Sequence, residues 1–203
     1  MKTNRKILYL TQLGLLTAIT ILLNFTPLGF LRIGVVEITF MAIPVIIGGA
    51  VLGPAAGAFL GLVFGLCSFS LAPTHPLFSI VLAENPVVLA LVCVVPRILV
   101  GVVAAYIVNI FEKIGKFRPV SYFLAGLAGA LTNTVLFLSG IVFLMEQTIT
   151  PKMAEFGLLS EKTFVGFWVG IGVVNGVPEA LACTILCGAI ILPLKKFVMK
   201  PAV

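Results

Sequence analysis

The sequence predicts an all-α integral membrane protein with six transmembrane helices, and three observations carry this prediction. Of its 203 residues, 61% are hydrophobic and 10% charged, with a mean hydropathy of +1.24, whereas a soluble domain carries about 25% charged residues. The apolar residues form long runs that Pro- and Gly-containing segments separate. A hydrocarbon core about 30 Å thick takes roughly 20 apolar residues per helix, so the chain has room for six spans and no large soluble domain.

The six spans belong to a single transmembrane domain, 1–203, and are numbered here in chain order: about 7–25, 38–52, 54–71, 87–111, 119–145 and 164–194. The basic start of the chain looks like the first part of a signal peptide. However, the apolar run that follows is long and no small-residue cleavage site closes it, which favours a retained first helix. Span 2 is short and contains Pro44, so it must be tilted, kinked or shielded by its neighbours.

The positions of the basic residues predict the orientation in the membrane. Most lysines and arginines lie before span 1, between spans 4 and 5, and after span 6, which six spans place on one side. The opposite side has only Arg32, Lys152 and Lys162, diluted by glutamates. Cytoplasmic loops of membrane proteins are enriched in Lys and Arg, so both termini are expected in the cytoplasm. The net charge of +6 then reflects these flanks and does not indicate a nucleic-acid partner.

The residue inventory excludes much chemistry. The chain has no Asp and a single histidine, His75, so neither a Ser-His-Asp triad nor a His-rich metal site can be built. No G-x-x-x-x-G-K-[ST] motif occurs, and the chain therefore does not hydrolyse ATP itself. The four cysteines lie inside apolar runs and are expected to be buried, reduced thiols. We expect no enzyme, no metal site and no cofactor in this chain.

Polar residues inside three of the spans predict a binding site. An ionisable group in a membrane span is costly and is a functional candidate by default; Arg97 and Glu179 are the two here. The helical rise places Arg97, Asn133 and Asn175 about 15–18 Å below the outer ends of spans 4, 5 and 6, with Glu179 one turn deeper. Trp168 lies on the same face of span 6. These five residues predict a substrate pocket that opens to the outside.

The chemistry of these side chains suits a small anionic solute. Arg97 can hold a carboxylate through a two-pronged, charge-assisted hydrogen bond. Asn133 can donate and accept, as a ligand with hydroxyl and amide groups requires, and Phe137 one turn along span 5 can supply a pocket wall. Glu179 could orient Arg97 or accept a ligand hydroxyl.

Two outer segments are expected to cover this pocket. Residues 25–30 and 69–78 combine aromatic, proline and small polar residues, a composition that suits a lid that excludes water. His75 within the second segment, and Asn85 at the start of span 4, are further candidate substrate contacts.

Small residues four apart on spans 1, 3, 5 and 6 predict close helix–helix contacts. Span 3 carries glycines at 53, 57, 61 and 65, and span 1 carries Gly14 and Ala18. Such faces let backbones approach closely in a membrane. Packing within the chain and contact with another protein both remain open for span 3.

Four segments resemble one family of membrane proteins. They are Gly14-x-x-x-Ala18, residues 43–57 (IPVIIGGAVLGPAAG), residues 95–101 (VPRILVG) and residues 132–134 (TNT). Together with the six spans and the length of the chain, they resemble the substrate-binding S components of energy-coupling factor (ECF) vitamin transporters. The last two segments are most similar to the pantothenate-specific branch.

The resemblance implies partners and a mode of action. Such proteins bind a vitamin from outside the prokaryotic plasma membrane and associate with a transmembrane coupling subunit and two ATPase subunits. The chain then needs no cofactor, since the partners use the ATP. The family contacts the coupling subunit through Ala-x-x-x-Ala on span 1, for which this chain has Gly14 and Ala18, and its pocket lies among spans 4 to 6 and the outer loops.

Three alternatives to pantothenate capture remain open on the sequence. The chain could serve another water-soluble vitamin. It could be a stand-alone proton-coupled carrier with Glu179 as the proton site. It could also bind no ligand, with an Arg97–Glu179 ion pair that only fixes helix packing.

Overall fold

The computed structural model describes residues 5–33, 36–74, 76–115, 118–155 and 164–198. The helices in these ranges are α1 (Arg5–Phe25), α2 (Ala42–Leu52), α3 (Pro54–Ser70), α4 (Pro76–Glu84), α5 (Pro86–Ile114), α6 (Arg118–Leu144), α7 (Glu146–Glu155) and α8 (Phe164–Pro193). A two-stranded antiparallel hairpin of β1 (Phe30–Ile33) and β2 (Val36–Thr39) joins α1 to α2. A π-helical turn, Leu194–Val198, follows α8.

The six-helix membrane fold is confirmed. Five helices in the described ranges are long and apolar enough to cross a membrane, and α2 is a shorter apolar helix. The short helices α4 and α7 and the hairpin were not predicted. Because residues 36–39 form β2, α2 begins at Ala42 and not at 38 as expected. The cytoplasmic position of the termini stays a prediction.

Helix α2 is short because its neighbours surround it. Its 11 residues extend about 16 Å, and residues 44–50 are all buried against α1, α3, α5, α6 and α8. Pro44 lies in the first turn, where a backbone N–H has no intrahelical partner anyway, so it does not interrupt the helix. Gly53, with a φ of 102°, ends α2 and begins α3; this left-handed conformation favours glycine. Span 2 was expected to be tilted, kinked or shielded by its neighbours, and the structure shows the shielding.

Glycines let α3 pack most extensively against α5. A Cβ added at Gly57 would collide with the carbonyl group of Gly101, and one at Gly61 would collide with the carbonyl oxygen of Arg97. Gly65 is similarly close to the α5 backbone. Three of the four glycines of span 3 therefore pack inside the chain, whereas a Cβ at Gly53 would meet nothing. The three bring the α3 backbone directly against the turn of α5 that carries Arg97.

A second close approach joins α6 to α8. A Cβ at Gly126 of α6 would collide with the carbonyl oxygen of Cys183 on α8, and a Cβ at Gly176 would lie 2.8 Å from the Thr134 methyl carbon. Asn133 lies next to the second of these contacts in sequence, and Glu179 lies near it on α8. The two glycines thus set the distance between the helices that carry these polar side chains.

An ion pair closes the other end of the bundle. Lys195 Nζ lies 2.6 Å from Glu112 Oε1, and both side chains are partly buried. The pair joins the last turns of α5 to the π-helical turn after α8. It lies near the end of α5 that is away from Asn85 and α4.

Candidate functional site

Arg97 is held by a carbonyl group that a proline leaves free. Pro96 lies inside α5 and has no backbone N–H, so the carbonyl of Val92, four residues earlier, loses its usual helical partner. Arg97 Nη1 donates a hydrogen bond to this oxygen at 3.1 Å. The adjacent residues Pro96 and Arg97 therefore satisfy a backbone acceptor and fix one end of the guanidinium at the same time.

Two aromatic rings lie against the same guanidinium. Arg97 Cζ is 4.1 Å from the ring centroid of Phe137 on α6 and 5.5 Å from that of Phe64 on α3. Both distances permit cation–π attraction, which is strongest at sites away from water. Phe137 in turn meets Phe78 of α4 edge-to-face, at 6.0 Å between centroids. The charge of Arg97 is thus placed between α3, α5 and α6.

Asn133 and Glu179 connect α6 to α8 beside this group. Asn133 Nδ2 donates to Glu179 Oε1 across a long hydrogen bond of 3.4 Å, and the Glu179 carboxylate attracts Arg97 electrostatically. The three side chains are only 6–7% exposed. The structure therefore brings together three of the predicted site residues, one from each of the three predicted spans.

Two atoms of this cluster have no hydrogen-bond partner in the part of the chain that the structure describes. Arg97 Nε and Asn133 Oδ1 are buried, and neither has a hydrogen-bond partner among the described residues. An unsatisfied buried polar group costs about 1–3 kcal/mol, and more when it is charged. Arg97 Nε is a cationic donor and Asn133 Oδ1 is a neutral acceptor. Together they suit a ligand that has an anionic acceptor and a hydroxyl or amide donor.

The structure places the other predicted site residues in different ways. Asn175 is half-buried on α8, one turn from Glu179 and hence on the same helix face. Asn85 is exposed, and its side chain accepts from the N–H of Val88 at 3.4 Å as the N-cap of α5. His75 and the side chain of Trp168 lie outside the described residues. Substrate contact by all four stays a prediction.

Sequence reasoning missed Phe64 and Asn24. Phe64 is fully buried between glycines of α3, and only the packing of α3 on α5 shows that it faces Arg97. Asn24, near the end of α1, is 6% exposed, and both its amide atoms lack a hydrogen-bond partner in the described ranges. A polar residue one turn after Thr20 in an apolar helix is the signal that could have identified it.

The predicted partner-binding face of α1 is open. Gly14 and Ala18 are both exposed, and a Cβ added at Gly14 would meet nothing within 4 Å. Among the described residues of α1, only Thr20 and Asn24 are buried. This side of the helix is therefore available to lipid or to another protein.

The fold and the site together define a polytopic membrane protein with a buried polar cluster that suits a small solute. The family model for the substrate-specific component of ECF transporters matches residues 8–191, and the chain belongs to that family. It is therefore a transporter component and not an enzyme, and the resemblance given by its sequence segments is confirmed. Membership implies a vitamin ligand and an ECF module as partner, which disfavours a ligand-free protein and a stand-alone carrier.

Two relatives with assigned names are similar over most of the chain. The pantothenic acid transporter PanT of Lactococcus lactis subsp. cremoris is 34% identical over 175 residues, which are 79% of each chain. The pantothenate transporter PanT of Leuconostoc mesenteroides subsp. mesenteroides is 31% identical over 197 residues, covering 93% of this chain and 92% of the relative.

A solved structure has the same fold. ThiT from Listeria monocytogenes superposes with a TM-score of 0.64 over 97% of this chain and 98% of its own. The sequence identity is 16%, so this similarity shows the architecture and not the ligand.

Proposed function

We propose that this chain is the subunit that captures pantothenate from outside a bacterial cell for ATP-driven import by an ECF transporter. The observation that carries the proposal is the buried Nε of Arg97, which has no hydrogen-bond partner among the described residues and would bind a carboxylate more strongly than a neutral acceptor. Pantothenate supplies one carboxylate, together with two hydroxyl groups and one amide. The names of the two PanT relatives support the same ligand.

The described contacts suggest how the ligand would be held. Its carboxylate would accept from Arg97 Nε, since charge-assisted bonds from arginine to carboxylates are strong and directional. A hydroxyl or amide N–H would donate to Asn133 Oδ1. Glu179 accepts a hydrogen bond from Asn133 and attracts Arg97 electrostatically. With both groups ionised the site is near neutral before the ligand binds, so that recognition depends on geometry more than on net charge.

The same proposal includes the partners. The exposed small face at Gly14 and Ala18 would contact the transmembrane coupling subunit, and two ATPase subunits would complete the importer. The chain itself would carry no cofactor, because the ATP is bound and hydrolysed by those partners.

A vitamin panel tests the ligand. The detergent-solubilised protein should be stabilised by pantothenate and not by other water-soluble vitamins, because a ligand of the folded state raises its stability by about 2.7 kcal/mol at one hundred times Kd. A shift of the melting temperature with a different vitamin alone would reassign the ligand.

Pantothenol, in which a neutral alcohol replaces the carboxylate, tests the role of Arg97. Hydrogen bonds to charged groups contribute about 1.5–3 kcal/mol, so pantothenol should bind roughly ten- to a hundredfold more weakly. The conservative Arg97→Lys variant keeps the charge without the fork and should retain part of this preference. Equal affinities of the wild type for both compounds would remove the carboxylate contact from the proposal.

A further inference from the structure

Both ionisable residues inside the spans directly follow a proline: Pro96 precedes Arg97, and Pro178 precedes Glu179. At the first of these sites, the structure shows what the proline does. We propose that Pro96 is a positioning residue, which reserves the Val92 carbonyl for Arg97 Nη1 and, with the ring of Phe137, holds the Nε edge of the guanidinium ready for the ligand. The proposal rests on pantothenate capture and concerns the origin of its preference for a carboxylate.

The hydrogen-bond pattern supports this role. In an uninterrupted helix the N–H of residue 96 would donate to the Val92 oxygen, and Arg97 would have to share an acceptor that is already used. With proline at 96 the oxygen is free for Arg97 Nη1, which takes it at 3.1 Å. Proline in a helix interior is otherwise destabilising, so this arrangement lowers helix stability while it fixes the guanidinium.

The aromatic contacts limit the rotation of the guanidinium, which the hydrogen bond to Val92 alone would leave possible. A guanidinium held only through Nη1 could still rotate, but the ring of Phe137 lies 4.1 Å from Cζ. Phe137 is itself in contact with Phe78 of α4. Arginine forks a carboxylate in the plane of the guanidinium, through one of its edges. Nη1 is engaged with Val92, and Nε has no partner within the described ranges, so the ligand carboxylate is assigned to the Nε edge.

Pro96→Ala separates positioning from folding. The variant restores a backbone N–H and should leave the melting temperature unchanged or higher, because alanine is the better helix residue. We expect the Kd for pantothenate to rise about tenfold while the Kd for pantothenol stays the same. Pro193→Ala, the matched change at the far end of α8, should alter neither constant. If the ratio of the pantothenol Kd to the pantothenate Kd were the same in Pro96→Ala as in the wild type, the role of Pro96 would be overturned.

Phe137→Leu tests the ring in the same assay, and Phe143→Leu, at an exposed position of α6, is its control. The ratio of the pantothenol Kd to the pantothenate Kd should fall in the first variant and not in the second. An equal loss of affinity for both compounds in Phe137→Leu would mean that the ring shapes the pocket without orienting Arg97, and would overturn its role.

A readout without ligand keeps the inference separate from the proposed function. The chain has four arginines, so the ¹⁵N-arginine spectrum is simple, and Arg97→Lys identifies the Arg97 signal. Its Nε–H proton should carry an upfield ring-current shift that Phe137→Leu reduces, because the nearer of the two rings is lost, and its Nη signals should move in Pro96→Ala. Failure of the wild type to bind pantothenate would contradict the proposed function alone. An Arg97 spectrum unchanged in both variants would contradict the positioning role, whatever the ligand.

Discussion

Helices α3 and α1 both carry small residues four positions apart, but the surroundings of these residues are opposite. On α3, Gly57 and Gly61 lie against the backbone of α5 so closely that a methyl group would collide with it. On α1, Gly14 and Ala18 face outward, and a methyl group at Gly14 would meet nothing. The spacing alone indicates a smooth helix face; it does not indicate what covers that face.

The two helices differ in the burial of the residues that lie near their small residues. The α3 stripe meets Gly101, a glycine on α5 that is equally close in return, and Phe64 on the same helix is fully buried. On α1, Leu15 and Leu22 are about 60% exposed, at 61% and 62%. The interface of α3 with α5 therefore builds the site around Arg97, whereas the small residues of α1 stay exposed.

The largest effect is expected from Gly61→Val. The added carbons would meet the backbone carbonyl of Arg97, which cannot yield as a side chain could, so the loss of unfolding free energy should be about 3 kcal/mol or more. Thermal unfolding in detergent measures it, with Gly170→Val as the control, because a Cβ at Gly170 has open space. If both variants melt alike, the tight contact of α3 with α5 does not exist.

Gly14→Leu should act on assembly and not on folding. The larger side chain projects into open space and leucine is a better helix residue than glycine, so the melting temperature should equal or slightly exceed that of the wild type, and the Kd for pantothenate should be unchanged. Co-purification with the coupling subunit should fall at least about tenfold, as expected when a close helix–helix approach is blocked. Gly170→Leu adds the same bulk at an exposed position of α8 and should leave assembly intact. Undiminished assembly of Gly14→Leu would remove this face from the interface.

Replacing Gly14 or Gly65 with alanine should change the unfolding free energy in opposite directions. Gly14→Ala should raise the unfolding free energy by up to about 1 kcal/mol, since glycine is the weaker helix residue and nothing obstructs the methyl group. Gly65→Ala should lower it, because the Cβ would lie 2.7 Å from Val94 Cα. Unfolding of the two variants, measured side by side, gives the sign, and a shared sign would contradict the assigned environments.

The smallest effect is expected at the ion pair between Glu112 and Lys195. Both side chains are partly exposed, and such pairs contribute about 0–1 kcal/mol. Glu112→Gln should thus lower the melting temperature slightly at low salt and not at high salt, where screening removes the difference. A larger loss, comparable to that of Gly65→Ala, would show that this end of α5 needs a charged contact as much as the glycine interface needs small residues.

Much of this architecture could be predicted from the sequence, because hydrophobic length and helical rise act locally. The spans followed from apolar runs, and the shared level of Arg97, Asn133 and Glu179 followed from counting residues along three helices. The hairpin was missed because each of its strands has four residues, too few for an alternating pattern to stand out.

Contacts between helices could not be predicted from the sequence. The approach of Phe64 to Arg97 depends on how closely α3 packs on α5, and the burial of Asn24 depends on what covers α1. The link between Pro96 and the Val92 carbonyl is an exception, because it follows from the four-residue hydrogen-bond spacing of a helix and could have been read from the sequence.

The most direct test measures the distance from the ligand carboxylate to Arg97. Rotational-echo solid-state NMR on ¹⁵N-arginine protein with ¹³C-carboxyl pantothenate reports this contact, and Arg97→Lys supplies the blank. We predict strong dephasing from a carbon–nitrogen separation of about 4 Å, as a charge-assisted N–H···O bond requires. Bound pantothenate without any dipolar coupling to an arginine nitrogen would contradict the account.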